Sequence, residues 1–589
     1  MIGTIEEIAN NTVIINLNPE IIQKGNILNL YASIRDGQKL FVGEIVKVNR
    51  VKAVISLLGE YQNGNFVFGV STKPSFSAQV SLLPVTEVSK IIGIEDVNDK
   101  NSLYIGNSLI YNQVRIGARI NSLFGSHFAV FGTTGTGKSC GVSRIIQNLF
   151  QKNENIPYYS NIFIFDASGE YHTAFKDLPN LNSKINFKIY TTDVNDDSTE
   201  LVKIPLWLMN IDDVAIMLNV EHQEQMPIVE KALKFVTIFG REESQVIKYK
   251  NSIIAKALRD ILLSGRPAAQ IRDQIFSVLT SYNTSELNLD TPVYQPGYTR
   301  PLKQCLLIDN SGKIQAMELL STFLGSFVID KLELSMPDGS FPYTLEDLYV
   351  ALNFALIDEG ILKNEKVYDL ANVLAVRLKT LIDSDTGNYF RYPNFVNRDQ
   401  YISKLIMSDN GKAQLINFNI NYVDDRFAKV ITKIYSRMLF EFAKSQKNRA
   451  SVPFHIILEE AHRYVQNDSD TRILGYNIFD RIAKEGRKFA VLLGLITQRP
   501  SELSETVLSQ CTNFFMFKVI HPLDVKFVYE LVPNITEDII EKVKTLQSGN
   551  CMTFGTAFKV PTIVKLDMPN PSPSSNSCDV SSVWFINQS

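Results

Sequence analysis

His127-Phe128-Ala129-Val130-Phe131-Gly132-Thr133-Thr134-Gly135-Thr136-Gly137-Lys138-Ser139 is the stretch on which the fold turns. Gly132 to Ser139 fills every fixed position of the phosphate-cradling pattern G-x-x-x-x-G-K-[ST]. The five residues in front of it read as a short buried strand, and Val142, Ile145, Ile146 and Leu149 behind it recur at helical spacing. A strand that enters a glycine-rich turn and then a helix aims several backbone N–H groups, and the positive end of the helix dipole, at one point. That point suits a triphosphate. Lys138 is placed to reach the β- and γ-phosphates and the Ser139 hydroxyl to take one position on Mg²⁺, with Thr133, Thr134, Thr136 and Cys140 completing the lining. The expected cofactors are therefore ATP and Mg²⁺.

Composition sets the outer limits. At 589 residues the chain exceeds one hydrophobic core, and about three or four domains are expected. Hydrophobic residues make up 45% and charged residues 21%, as in ordinary globular proteins. A net charge of −3 argues against a uniformly basic nucleic-acid surface but leaves room for a local basic ring. The five cysteines are scattered and lack C-x-x-C spacing, which suggests neither a disulfide framework nor a zinc site and fits a reducing cytoplasm. The longest apolar runs, such as Phe489 to Ile496, fall far short of the ~20 residues that span a bilayer, so no membrane role is expected.

Along the chain the patterning changes several times. Residues 1–114 show short alternating segments, Thr12 to Leu17 and Leu40 to Val46 among them, punctuated by turn residues, and predict a small β-barrel domain. Phe41, Val42, Tyr61, Phe66 and Phe68 supply more apolar surface than so small a module needs, so either a crowded core or a docking face is expected there. Residues 115–203 read as the first part of an α/β core. Residues 204–398 turn to helical periodicity (Val229, Ala232, Leu233, Val236; Ile253, Ala257, Leu258, Ile261, Leu262; Leu370, Val373, Leu374, Val376, Leu378, Leu381) and predict a helical insertion. Sheet signals resume over 399–566, and 567–589, with its prolines and serines, reads as a flexible C-terminal tail.

Three further strands end in residues that bear chemistry. Asn161 to Phe165 leads into Asp166-Ala167-Ser168-Gly169-Glu170-Tyr171, and because parallel strands open their C-terminal ends to the ligand crevice, Asp166 and Glu170 are expected near the nucleotide. The same residues also suit a plain surface turn. Phe454 to Leu458 delivers Glu459 and Glu460, one carboxylate for the Mg²⁺ shell and one to polarise the attacking water; the alternative is an acidic helix start. Val491 to Ile496 leads to Thr497-Gln498-Arg499-Pro500, where the Gln498 amide can bond both a γ-phosphate oxygen and the nucleophilic water, or merely cap the next helix. Upstream, Arg481, Lys484, Arg487 and Lys488 gather at a helix C-terminus, where cations either complement the dipole or contact phosphate.

Taken in order, Gly132 to Ser139, Asp166 with Gly169-Glu170-Tyr171, Leu458-Glu459-Glu460-Ala461-His462, Glu485-Gly486-Arg487-Lys488 and Thr497-Gln498-Arg499-Pro500 resemble the HerA branch of the FtsK/HerA P-loop ATPases. The resemblance extends from the β-rich start to about Leu566. It implies a RecA-like ATPase core with an N-terminal barrel and a helical insertion, assembled as a homo-hexamer around double-stranded DNA. It also implies that Glu459 supports the metal, Glu460 activates water, Arg487 is an arginine finger given to the neighbouring subunit, and Gln498 is a sensor. Glu459 stands where Asp is commoner among P-loop proteins. Proteins of this type work with a separate effector, a NurA-like nuclease, a sirtuin-like NAD-consuming enzyme or another nuclease, in DNA processing or antiphage defence. Two other readings carry different consequences: a ring scaffold that activates an effector without moving DNA, and an FtsK-like membrane-tethered pump, which the lack of long apolar runs disfavours.

Overall fold

The computed structural model describes residues 1–589 apart from 24, 95, 153, 240–242, 330–335, 361–364, 409, 467–468, 533–534, 575–579 and 585–589. The chain forms two compact units, the first made of Met1–Thr191, Ser403–Asn467 and Asn477–Ser589, the second of Thr192–Ile402 and Asp468–Tyr476.

The first unit begins with a closed antiparallel barrel. Around it the strands run in the order Thr12–Leu17, Gly3–Ile8, Gln79–Leu82, Tyr31–Asp36, Lys39–Val48 and Lys52–Gln62, and Thr12–Leu17 closes the ring by pairing with Lys52–Gln62. Alternation drives this: Val13, Ile15, Ile34, Phe41, Ile45, Ile55 and Val80 all point inward and are fully buried. Phe41 and Val42 are thus core, not surplus. Phe68 is different. The short strand Asn65–Phe68 pairs only with Lys52–Gln62, outside the closed ring, and leaves Val67 41% and Phe68 50% exposed. Strands Ser102–Ser108 and Arg115–Arg119 belong to the large sheet, so the strand-rich opening of the chain divides between two sheets.

That large sheet carries the unit. Its parallel part runs in the order Phe187–Thr191, Leu415–Asn419, Ile162–Asp166, Phe454–Leu458, Val491–Thr497, His127–Phe131, Cys511–Met516, and continues antiparallel through Asn550–Gly555, Thr562–Lys565, Ser102–Ser108 and Arg115–Arg119. Central strands read as unbroken apolar runs because helices cover both faces. On one face the helix Asp425–Ser445, started by the Asp424 carboxylate accepting from the Phe427 N–H, buries Ile431, Ile434, Tyr435 and Met438. There Phe418 stacks on Phe165 (5.1 Å) and Tyr190 (5.0 Å), with Tyr435 at 4.6 Å. On the other face the helix Lys138–Phe150 buries Val142, Ile146 and Leu149.

The expected tail does not start free at Asp567. The Asn570 N–H donates to Gln147 Oε1 (3.0 Å), Gln147 Nε2 to the Pro571 carbonyl (2.8 Å) and the Ser574 N–H to the Glu170 carbonyl (3.0 Å). A proline- and serine-rich stretch reads as disordered by composition, yet a single buried amide with both its hydrogen-bonding ends exposed to the strap is enough to hold it. The rest of the expected tail falls partly outside the described residues.

The second unit is built mainly of helices, among them Met226–Phe239, Glu243–Leu262, Leu345–Gly360 and Glu365–Asp383. Val229, Leu233, Val236, Leu258, Ile261 and Leu262 are buried as their spacing predicts, whereas Val373 and Val376 lie on a solvent face at 41% and 60% exposure. Leu374, Leu378 and Leu381 supply the buried stripe of that helix instead, and the side chain of Leu370 lies outside the described residues.

Candidate functional site

All seven parallel strands point their C-terminal ends the same way, and four adjacent ones deliver the motif residues to one edge. The phosphate loop leaves Phe131, turns at Gly137 in the left-handed region (φ 96°) and enters its helix at Lys138. The loop is stapled from both sides. The Thr133 N–H and hydroxyl donate to the Lys518 carbonyl (2.9 and 3.2 Å), Ser548 Oγ donates to the Gly135 carbonyl (3.1 Å) and the Gly549 N–H to that of Thr136 (3.1 Å). Thr136 Oγ1 closes the turn on the Thr133 carbonyl at 2.7 Å, and Lys138 Nζ rests on that same carbonyl at 3.1 Å.

Around Lys138 lies a group of acids. Burial pushes the Lys138 ammonium down, while the charges of Glu460, Glu459 and Glu170 pull it back up. Glu170 is raised by burial, partly offset by the Ser139 hydroxyl beside it. Glu459 is buried, its carboxyl accepts from the Ser168 N–H (3.0 Å), and burial together with the adjacent Asp166 charge holds it well above the usual carboxylate range. Asp166 itself is fully buried and takes up the Glu170 and Tyr171 N–H groups (3.0 and 2.9 Å) and the Asn417 amide (3.3 Å). Its carboxylate shapes the loop that carries Glu170 and does not face the opening. Glu460 sits in the left-handed region (φ 47°), an uncommon conformation for a non-glycine residue, with Oε2 3.2 Å from His462 Nδ1. That oxygen is buried and accepts no hydrogen bond.

Gln498 completes the edge, its Oε1 accepting from the Thr134 hydroxyl across the phosphate loop. Cys140 is a half-buried free thiol in the first helical turn, pushed up by burial and then by Glu170. Arg487 is not at this edge. It lies on the short turn Gly486–Phe489 that precedes Val491–Thr497, so seven strand residues, about 20 Å at ~3.3 Å each, separate it from Gln498. Sequence reasoning passed over His462, although it closes the Glu-Glu-Ala-His quartet; its second contact, Nδ1 to Thr497 Oγ1 at 3.0 Å, ties the two acidic and amide strand ends together. It also passed over Ser548 and Gly549, for which no local signal exists.

The donor set fits a nucleotide with its cation. A lysine resting on a loop carbonyl, an orphaned buried carboxylate oxygen and a carboxyl that burial disfavours as an anion are all groups that positive charge and phosphate oxygens satisfy.

Residues 103–303 match the family described as "Helicase HerA, central domain". The chain is 27% identical over 359 residues to a DNA double-strand break repair helicase HerA of Sulfurisphaera tokodaii, spanning 59% of this chain and 67% of that one. It is 25% identical over 539 residues to a protein of the same description from Sulfolobus acidocaldarius, spanning 91% and 81%. Among solved structures it is similar to the bacterial conjugative coupling protein TrwBdeltaN70 (TM-score 0.43, 9% identity, 84% of this chain and 94% of that one). No helix among the described residues is long and apolar enough to cross a membrane. A phosphate loop on a parallel sheet, an acidic pair two strands away, a closed N-terminal barrel and the central-domain match make the chain similar to the HerA-like P-loop ATPases.

Proposed function

We infer that the chain is an ATP-driven DNA translocase that works as a ring, most simply a homo-hexamer, with ATP held between neighbouring subunits. The observation that carries this is the separation of Arg487 from the phosphate-loop edge. Lys138, Ser139, Glu170, Glu459, Glu460 and Gln498 converge, while the arginine of the same motif set is exposed at the other end of the sheet, where only a second copy's nucleotide can meet it. In this reading Lys138 and the loop amides bind the phosphates, Ser139 and Glu459 would hold Mg²⁺, and Glu460, which lies beside His462, takes the proton of the attacking water. Mg²⁺ bound with the substrate supplies positive charge against the phosphate oxygens. Gln498 reads the γ-phosphate through its link to Thr134. DNA as the cargo is carried over from the repair-helicase relatives.

A separate effector docks on the barrel in this reading, supported by the unclosed strand Asn65–Phe68 with its exposed Val67 and Phe68. A nuclease or NAD-consuming enzyme would suit DNA processing or antiphage defence in the cytoplasm. The test is a mixing experiment. Arg487→Ala and Glu460→Gln subunits, each inactive alone, should regain ATP hydrolysis on mixing, because some interfaces then join an intact Glu460 to an intact Arg487. Absence of recovery at every ratio, with rings confirmed by mass, would refute the shared site.

A further inference from the structure

The phosphate-loop strand starts with a buried histidine that the reading above leaves without a task. His127 is fully buried. Its Nδ1 accepts from the Leu493 N–H at 2.9 Å, which leaves Nε2–H to donate to the Ala483 carbonyl at 3.1 Å. Ala483 lies near the end of the helix Ile478–Glu485, four residues before Arg487. The chain from there to the next strand has little freedom. A Cβ on Gly486 would stand 2.3 Å from the Val491 carbonyl, and Ala490, at φ 57°, has its own carbonyl held by the Phe454 N–H at 2.8 Å. Arg487 is therefore presented by a turn fixed at its far end to the sheet and at its near end to one imidazole.

That imidazole belongs to the strand whose opposite end is the phosphate loop. The strand His127–Phe131 is in parallel register with Val491–Thr497 on one side and Cys511–Met516 on the other, so it is a short rod of about 15 Å at ~3.3 Å per residue that joins the imidazole to the phosphate loop. Burial holds the His127 imidazole down at about 4, which keeps it neutral and the two hydrogen bonds in place, with the Arg487 charge acting in the same direction. We propose that His127 is a positioning residue that links each subunit's own phosphate loop to the Arg487 it offers its neighbour, so that the state of one nucleotide sets the arginine at the next. The proposal rests on the reading of Arg487 as acting in trans.

His127→Phe keeps the ring and removes both hydrogen bonds. Turnover should fall about ten- to hundredfold, as small misplacements of a catalytic group do, with the ATP KM changed less than twofold. His127→Gln, whose amide can restore one bond, should recover part of the loss, and it serves in every arm if the phenylalanine variant does not fold. Mixing His127→Phe with Glu460→Gln subunits should restore hydrolysis, since the second supplies a well-placed Arg487 to the first one's intact site. Lack of recovery would put the defect in His127's own phosphate loop and overturn the link. In a double variant, Arg487→Ala should hide the effect of His127→Phe; additive losses would overturn the proposal as well. Normal turnover in Arg487→Ala alone would refute the trans arginine, whereas normal turnover in His127→Phe beside a slow Arg487→Ala would refute only the link.

Discussion

The two edges of the parallel sheet are made by the same strands and differ in how their polar groups are satisfied. At the C-terminal edge Lys138, Glu170, Glu459 and Glu460 crowd together, Glu460 Oε2 has no donor, and burial and the Asp166 charge raise Glu459 well above the usual carboxylate range. At the N-terminal edge the buried His127 has both ring nitrogens bonded to backbone, and Gly486 and Ala490 lock the turn between them. One edge is unfinished without a ligand; at the other the turn that bears Arg487 is finished, although His455 Nδ1 and Asn161 Oδ1 at neighbouring strand starts have no partner. In the shared site proposed above, the first edge would receive the charge it lacks from another copy, and the second would hold the arginine it offers.

The largest effects should appear at the unfinished edge. Lys138→Ala should abolish hydrolysis and nucleotide binding together, since it removes the only lysine of the loop; binding of a fluorescent ATP analogue at wild-type strength would break the comparison. Glu460→Gln should cut turnover by about 10²–10⁴ while still trapping ATP, because water activation alone is lost. Arg487→Ala, at the other edge, should slow turnover by about 10³ or more and leave equilibrium ATP binding to a single subunit unchanged. A loss of binding there would mean that the arginine serves its own subunit.

Smaller and opposite in sign is Glu459→Gln. A carboxyl raised above its unfolded value binds more protons in the folded state, so the folded protein loses stability as pH rises through the interval between the two values. The glutamine removes that loss and should stabilise the nucleotide-free protein at neutral pH by about 1 kcal/mol, the usual scale for relieving a strained site. The same change should weaken the Mg²⁺ dependence of ATP binding. If urea midpoints at pH 8 do not rise, the buried acid is not the source of the edge's strain.

Much of the site was legible in the sequence because strand ends are. Once Gly132 to Ser139 fixes one strand end, any apolar run of five followed by acids or an amide falls at the same edge, which places Glu459, Glu460 and Gln498. What the sequence hides is the direction a side chain takes after the strand ends. Asp166 follows its strand as directly as Glu459 does, yet it turns inward to hold the Glu170 and Tyr171 N–H groups. Nor does local pattern show partners hundreds of residues away, such as Ser548 under Gly135 or Pro571 against Gln147. The barrel core followed from alternation, but Phe41 and Phe68 look alike in sequence and only the closure of the ring separates them.

The smallest effect tests the finished edge by acid. His127 has its pKa lowered to about 4, below the ~6.5 of an unfolded histidine, so between these values the unfolded chain carries more protons than the folded one. Stability then rises with pH across this window: the full contribution is present above about pH 6.5 and is lost as pH falls toward 4, a difference of about 3 kcal/mol at 1.36 kcal/mol per unit. Buried His455 is shifted the same way and adds slope of the same sign, so the informative quantity is the difference between wild type and His127→Phe. Urea midpoints measured from pH 7 to pH 4.5 should fall more steeply for wild type than for the variant, even though the variant is less stable at pH 7. Parallel curves would mean that His127 is not held neutral between Leu493 and Ala483, and the rigid edge would lose the group that ties its turn to the phosphate-loop strand.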